Sequence, residues 1–169
     1  MIKIIDGDLL TSEADIICHQ VNCQGKMNSG VAKQIREKYP NVFEAYRKFV
    51  NDVTQLYGSE ELLGECQFIC LGTGNFKYIA NLFGQDSYGY DGKQYTNMDA
   101  LKNSLLKLRS CADLVAEQKD VSKLDIRIAI PWKIGCVRGG ANWTYVYSMI
   151  HFIFEDYNVE LWRLDKGYR

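Results

Sequence analysis

Histidine and proline are scarce in this chain, with two of each in 169 residues: His19 and His151, Pro40 and Pro131. The six cysteines (Cys18, Cys23, Cys66, Cys70, Cys111, Cys136) never form a CxxC pair and have only those two histidines to work with, so neither a zinc site nor a disulfide framework is expected; the thiols read as reduced. An excess of one charge is missing too. Lys plus Arg number 20 against 21 for Asp plus Glu, which gives no broad electrostatic footprint for nucleic acid or an anionic membrane. No apolar run approaches the roughly 20 residues that span a bilayer. The start, Met1 to Asp6, lacks a charged segment followed by an apolar one, so no secretory signal is expected and the location is read as cytoplasmic. With no Ser/Gly run and no block of like charge to serve as a linker, residues 1–169 read as a single domain with its own core. Neither GxxxxGK[ST] nor GxGxxG occurs, which disfavours a nucleotide triphosphatase or a dinucleotide dehydrogenase.

What is present is a junction. Ile16-Ile17-Cys18-His19-Gln20-Val21 is a short, mainly apolar segment; Asn22 to Ser29 is a polar turn; Gly30-Val31-Ala32 opens a helical pattern that Asn28 or Ser29 can cap. Backbone N–H groups at such a strand–loop–helix junction are unpaired and carry partial positive charge, so an anion, above all a diphosphate, suits them. The bland alternative is a Gly/Asn turn with no ligand.

The rest of the chain alternates strand and helix. Residues 2–5 predict a strand ended by the Asp6-Gly7-Asp8 turn, where Asp8 also suits a purely local Asx turn. Val31, Ile35 and Tyr39 mark an amphipathic helix that Pro40 ends, and Val42–Tyr57 a second one whose aromatic residues read as core. Strands are predicted at 65–71 and 76–82, joined by a hairpin turn at 72–75, followed by a loop rich in glycine and tyrosine over 83–92 that either flanks a ligand or forms surface. A long helix over 96–117, a strand over 125–130, the loop Pro131 to Asn142, a helix over 143–156 and a strand over 159–164 complete the chain. This alternation predicts an α/β sandwich with a mostly parallel sheet, and in that architecture ligands bind at the carboxyl ends of the strands. Both glycine loops, Cys23–Gly30 and Gly135–Gly140, leave such ends, so they are expected to share one rim and clamp a diphosphate between them.

Gly7-Asp8-Leu9-Leu10, His19 to Gly25 with Gly30-Val31-Ala32, Asn81-Leu82-Phe83-Gly84-Gln85, and Ile134-Gly135-Cys136 to Trp143 lie in order over nearly the whole chain. Together they resemble the macro domain, an ADP-ribose-binding fold, and more closely the branch of the ADP-ribose 1''-phosphate phosphatase and the terminal ADP-ribose protein glycohydrolase. The resemblance implies a three-layer α/β/α fold with a mixed, mostly parallel central sheet, ADP-ribose or a derivative as ligand, and no cofactor. By position it implies that Asp8 accepts from the adenine amino group with Leu9 beside it and that Asn22 reaches the distal ribose. It further implies that Asn28, Ser29, Gly30 and Val31 wrap the diphosphate and distal ribose, with Gly135, Cys136, Val137, Arg138, Gly139 and Gly140 forming the second phosphate loop.

His19 occupies the place of a histidine in the phosphatase branch, where an imidazole orients or deprotonates water; its alternative is a hydrogen bond to neighbouring backbone. The lysine nucleophile of the glycohydrolases, just after the strand at 78–82, is absent, and Gly139 stands where their aspartate does; Lys93 lies farther on and does not stand at that lysine's place. The expected activity is therefore hydrolysis of ADP-ribose 1''-phosphate, with His19 and Asn22 orienting the water. A non-catalytic ADP-ribose reader and a water-dependent hydrolase acting on ADP-ribosylated protein or nucleic acid are the alternatives. Nucleic acid enters only as such a substrate, no membrane is involved, and a monomer is expected.

Overall fold

The computed structural model describes residues 1–72 and 77–164. Six strands form one sheet: β1 (Ile2–Asp6), β2 (Ile16–Val21), β3 (Cys66–Cys70), β4 (Tyr78–Phe83), β5 (Arg127–Pro131) and β6 (Asn158–Arg163), in the order β1-β6-β5-β2-β4-β3. All neighbours are parallel except β3, which runs antiparallel to β4 at the edge. The hairpin turn predicted at 72–75 lies largely outside the described residues.

Four helices cover the sheet: α1 (Gly30–Lys38), α2 (Pro40–Tyr57), α3 (Met98–Lys119) and α4 (Trp143–Ile153). The central strand explains the layering. In β2, Ile16 and Cys18 point into a cluster with Leu101, Leu105 and Leu108 of α3 and Val146 and Ile150 of α4, whereas Ile17 packs with Ile35 of α1 and Val42 of α2. A strand buried on both faces needs apolar residues at odd and even positions alike, which is why β2 and β4 read as continuous rather than alternating. Each fully buried leucine of α3 contributes about 1.5–3 kcal/mol through area removed from water.

Two local predictions shift. Pro40 does begin where α1 has stopped, but it is the first residue of α2, where its missing N–H costs nothing and its fixed φ suits the first turn. Helix α4 ends at Ile153 instead of 156, and the chain turns through Phe154 to Tyr157 before β6. Because β1, β2, β4, β5 and β6 are mutually parallel, the segments that follow β2, β4 and β5 all emerge at one rim of the sheet. No helix among the described residues is long and apolar enough to cross a membrane.

Candidate functional site

Those three segments enclose a cleft of about 280 Å³. It is lined from β2 and the following turn by His19, Gln20, Val21, Asn22, Lys26, Asn28 and Ser29; from α1 by Gly30, Val31 and Ala32; from the segment after β4 by Gln85, Tyr88, Gly89 and Tyr90; and from β5 onward by Pro131, Trp132, Lys133, Ile134, Gly135, Val137, Arg138 and Gly139. Among these described residues there is no aspartate or glutamate, while Lys26, Lys133 and Arg138 bring three positive charges, on a chain whose net charge is -1. Low-dielectric walls that carry one sign of charge concentrate ions of the other, so the cleft favours an anion.

The amides agree with the charges. Ser29 takes the N-cap position of α1 with extended backbone, yet its hydroxyl caps nothing, and the Asn28 side chain accepts from Arg36 Nη1 (2.9 Å) instead. The first backbone bond of the helix is Lys33 N–H to Ser29 O (3.2 Å), so the N–H groups of Gly30, Val31 and Ala32 face the cleft end without intrahelical partners. Across from them, the loop after β5 closes on itself: Cys136 N–H donates to Lys133 O (2.9 Å) and Gly140 N–H to Cys136 O (3.1 Å). Val137, Arg138 and Gly139 amides receive no acceptor among the described residues. Gly135 adopts φ +71°, a conformation that L side chains rarely take, and a Cβ there would meet Gln20 Oε1 at 2.9 Å.

Of the residues that the sequence singled out, His19, Asn22, Asn28, Ser29, Gly30, Val31, Gly135, Val137, Arg138 and Gly139 are brought together in this lining. Asp8, Leu9, Cys136 and Gly140 lie outside it. Asp8 Oδ1 accepts from Leu10 N–H (2.9 Å) in the local turn, Leu9 is buried in the cluster beneath α1, and the amides of Cys136 and Gly140 are taken up within their own loop. Lys93 is paired with Asp91 (3.2 Å) and does not line the cleft. Loop membership, which is all that sequence reports, does not say which way a residue faces.

His19 is almost fully buried, 1% exposed. Its Nε2 lies 2.6 Å from Asn81 Oδ1, and Asn81 Nδ2 donates to Gln67 Oε1 (3.0 Å). With Asn81 Oδ1 thus the acceptor, the imidazole carries its proton on Nε2 and keeps a lone pair on Nδ1, which is itself buried and has no partner among the described residues. Burial pushes the imidazole down to about 4, against a smaller upward pull from the Asn81 bond, so the ring is neutral near pH 7. The thiols beside the two glycine loops are not nucleophiles there: burial, then the Asp86 carboxylate, pushes Cys23 up to about 12, and burial raises Cys136.

Asn22 holds the turn after β2. Its Oδ1 accepts from Gln24 N–H (2.9 Å), Lys26 N–H (3.4 Å) and Tyr46 Oη–H (3.0 Å), and its Nδ2 donates one hydrogen to Lys26 O (2.9 Å) and retains the other. Tyr46, read from its helical spacing as core, is fully buried and also donates to the Asn22 carbonyl (2.7 Å). Tyr46→Phe is expected to lower the unfolding free energy by about 1–2 kcal/mol, since it strips a donor from buried acceptors; urea titration measures this. A second brace escaped the sequence entirely. Gln20 Nε2 donates to Gln85 Oε1 (2.6 Å) and Thr96 Oγ1 (2.9 Å), and Thr96 Oγ1 donates to Gly135 O (2.7 Å), tying the three rim segments together. Among the described residues no cluster of histidine, cysteine, aspartate or glutamate is arranged to hold a metal ion.

Comparison with known proteins places this geometry in context. The model of a family described as the macro domain matches residues 18–150. The DNA ADP-ribosyl glycohydrolase of Mycobacterium tuberculosis (strain ATCC 25618 / H37Rv) is 35% identical over 75 residues, which is 37% of this chain and 21% of that protein; the same holds for its counterpart in Mycobacterium bovis. The chain thus spans 21% of the length of the curated relatives it matches. Among solved structures, the macrodomain of Mycobacterium tuberculosis DarG superposes with a TM-score of 0.74 at 22% identity, covering 96% of this chain and 97% of that one. Thermosipho africanus DarTG in complex with ADP-ribose superposes with a TM-score of 0.73 at 14% identity, over 99% of this chain and 42% of that one. At those identities the structural likeness establishes the fold.

Proposed function

The chain belongs to the macro domain family, and on that footing we propose that its cleft binds ADP-ribose and hydrolyses the bond from the distal ribose to a nucleobase of modified nucleic acid. The observation that carries the reading is the cleft itself, free of carboxylates among its described lining residues, with three cations and two amide-bearing segments facing one another. That set suits a diphosphate without a metal ion. The ADP-ribose complex of one structural neighbour and the glycohydrolase name of the curated relatives support the ligand and the bond.

In this reading the diphosphate lies between the first turn of α1 and the Gly135–Gly139 loop, and the distal ribose lies toward His19 and Asn22. Water adds its oxygen to the anomeric carbon; the base leaves with the bonding pair and takes up a proton, giving ADP-ribose and the unmodified base. Glycosidic cleavage passes through an oxocarbenium-like state that asks little of the nucleophile, so a neutral imidazole is sufficient as an orienting base; His19 Nδ1 is the ring nitrogen left without a partner, and because it is buried this role requires a side-chain movement that admits water to it. Gly84 and Gln85, not a lysine, stand directly after β4, and in this reading water rather than a covalent amine is the nucleophile. The same His19 geometry also suits removal of phosphate from ADP-ribose 1''-phosphate, the second reading.

Four substrates decide between these: single-stranded oligonucleotides bearing ADP-ribose on thymidine or guanosine, an ADP-ribosylated glutamate peptide, and ADP-ribose 1''-phosphate. Release of free ADP-ribose from an oligonucleotide is the expected outcome. Phosphate release from ADP-ribose 1''-phosphate alone would replace it with the phosphatase, and intact ADP-ribose binding without any turnover would make the protein a reader.

A further inference from the structure

Two tyrosines stand at the mouth of the cleft without a part in the reading so far. Tyr88 and Tyr90 line it while remaining 43% and 74% exposed, so much of each ring surface is open to solvent beside the cleft. The segment that carries them, between β4 and α3, contains three glycines, Gly84, Gly89 and Gly92, and is nonetheless braced along its length. Cys23 N–H donates to Asp86 O (2.9 Å), and Gln24 Nε2 to Asp86 Oδ1 (3.0 Å). Gln85 bridges Thr96, and Tyr95 Oη donates to Asp91 Oδ1 (2.7 Å). Gly89 lies so close to the Tyr95 hydroxyl that a Cβ would not fit. The rings are therefore displayed by a tied loop.

One side of Tyr90 is already occupied. The Arg138 guanidinium sits 5.1 Å from the ring centroid and its Nη1 donates to Tyr90 Oη (3.2 Å), which joins the tyrosine segment to the loop after β5. The segment's two carboxylates have partners of different kinds: Asp86 accepts from the neutral Gln24 amide on the side of the turn after β2, and Asp91 accepts from Tyr95 and is paired with Lys93. The bond from Cys23 to Asp86 anchors the segment beside the turn that holds Asn22.

We propose that Tyr88 and Tyr90 form a stacking platform for the nucleobase that carries the ADP-ribose, presented in a single strand, with Arg138 behind Tyr90 supplying positive charge for the adjoining phosphate. This rests on the reading that the Asn22 end of the cleft takes the distal ribose. A base stacks on an aromatic face through its own π surface, which a duplex conceals and a single strand exposes. A glutamate side chain has no such surface to offer.

The test compares two ligands on the same proteins: free ADP-ribose, and a short single-stranded oligodeoxynucleotide bearing ADP-ribose on one thymidine. Each displaces a fluorescent ADP-ribose analogue, with the signal read immediately after mixing. The native protein is expected to prefer the oligonucleotide, and Tyr90→Ala to lower that preference by about ten- to a hundredfold, with Tyr88→Ala adding to the loss. Tyr90→Phe, which keeps the ring, is expected to retain most of it. Equal losses for both ligands, no change in the ratio, or a native protein that does not prefer the oligonucleotide would overturn the platform. Failure of the native protein to bind free ADP-ribose would instead overturn the reading on which it rests.

Discussion

Gly139→Ala is expected to abolish useful binding of ADP-ribose, raising Kd by more than about tenfold, and to lower the unfolding free energy by about 1–3 kcal/mol. The reason is local and steric. A Cβ at position 139 would fall inside van der Waals contact of Thr96 Oγ1 and the Gly135 carbonyl oxygen, which are hydrogen-bonded to each other at 2.7 Å. Neither atom is the free end of a flexible side chain. The Gly139 carbonyl is fixed as well, accepting from Tyr95 N–H (2.8 Å) and Thr96 N–H (2.9 Å). The clash is relieved only by pulling the loop after β5 away from the segment before α3, which moves the Gly135–Gly139 amides off the diphosphate. Gly72→Ala, where nothing among the described residues lies within 4 Å, is the control and should leave affinity and stability unchanged. Calorimetric titration and urea unfolding of the two variants give the comparison.

His19→Ala is expected to reduce turnover by about a hundredfold or more, the range of a positioned base, with a smaller effect on ADP-ribose affinity. It also leaves Asn81 Oδ1, fully buried, without its 2.6 Å partner, so a loss of about 1–3 kcal/mol in stability accompanies it. The pH dependence separates the chemical role from the structural one. With its folded value lowered to about 4, the imidazole keeps its Nδ1 lone pair through the neutral range. The rate should therefore stay level where an ordinary histidine would titrate, near 6.5, and fall only toward pH 4.

Stability follows the same linkage with a definite sign. The unfolded chain binds a proton at His19 below about 6.5 and the folded chain resists it until about 4, so the His19 contribution is complete above 6.5 and is lost as pH falls from 6.5 to 4. The loss is about 3 kcal/mol, and His19→Gln should remove that part of the slope. Asn81→Asp should shift the acid limb of the rate upward, because a carboxylate beside Nε2 stabilises the imidazolium.

The layered fold was legible because its determinants are local. The apolar continuity of residues 16–21, the helical spacing of Val31, Ile35 and Tyr39, and the Ile126-Ile128-Ile130 alternation each specify an element. Their parallel arrangement then sends both glycine loops to one rim, and the structure has them facing across one cleft. What the sequence concealed depends on contacts between distant segments. Tyr46 was visible as core, but its hydroxyl donates to Asn22, 24 positions away. The Asn81–Gln67 pair that sets the His19 tautomer sits on two strands whose register no single-strand pattern reveals. Pro40 marks a boundary in either interpretation, and only the geometry shows that it starts a helix.

Calorimetric titration of the native protein with ADP-ribose, ADP and AMP tests most directly whether two amide-lined loops grip a diphosphate and the ribose beyond it. Binding of ADP-ribose at least about tenfold tighter than AMP, with ADP between them, is the expected result, since a tenfold step corresponds to about 1.4 kcal/mol and one charge-assisted hydrogen bond is of that order. Equal affinity for AMP and ADP-ribose would contradict it, because the Gly30–Ala32 and Gly135–Gly139 amides would then have no part in recognition.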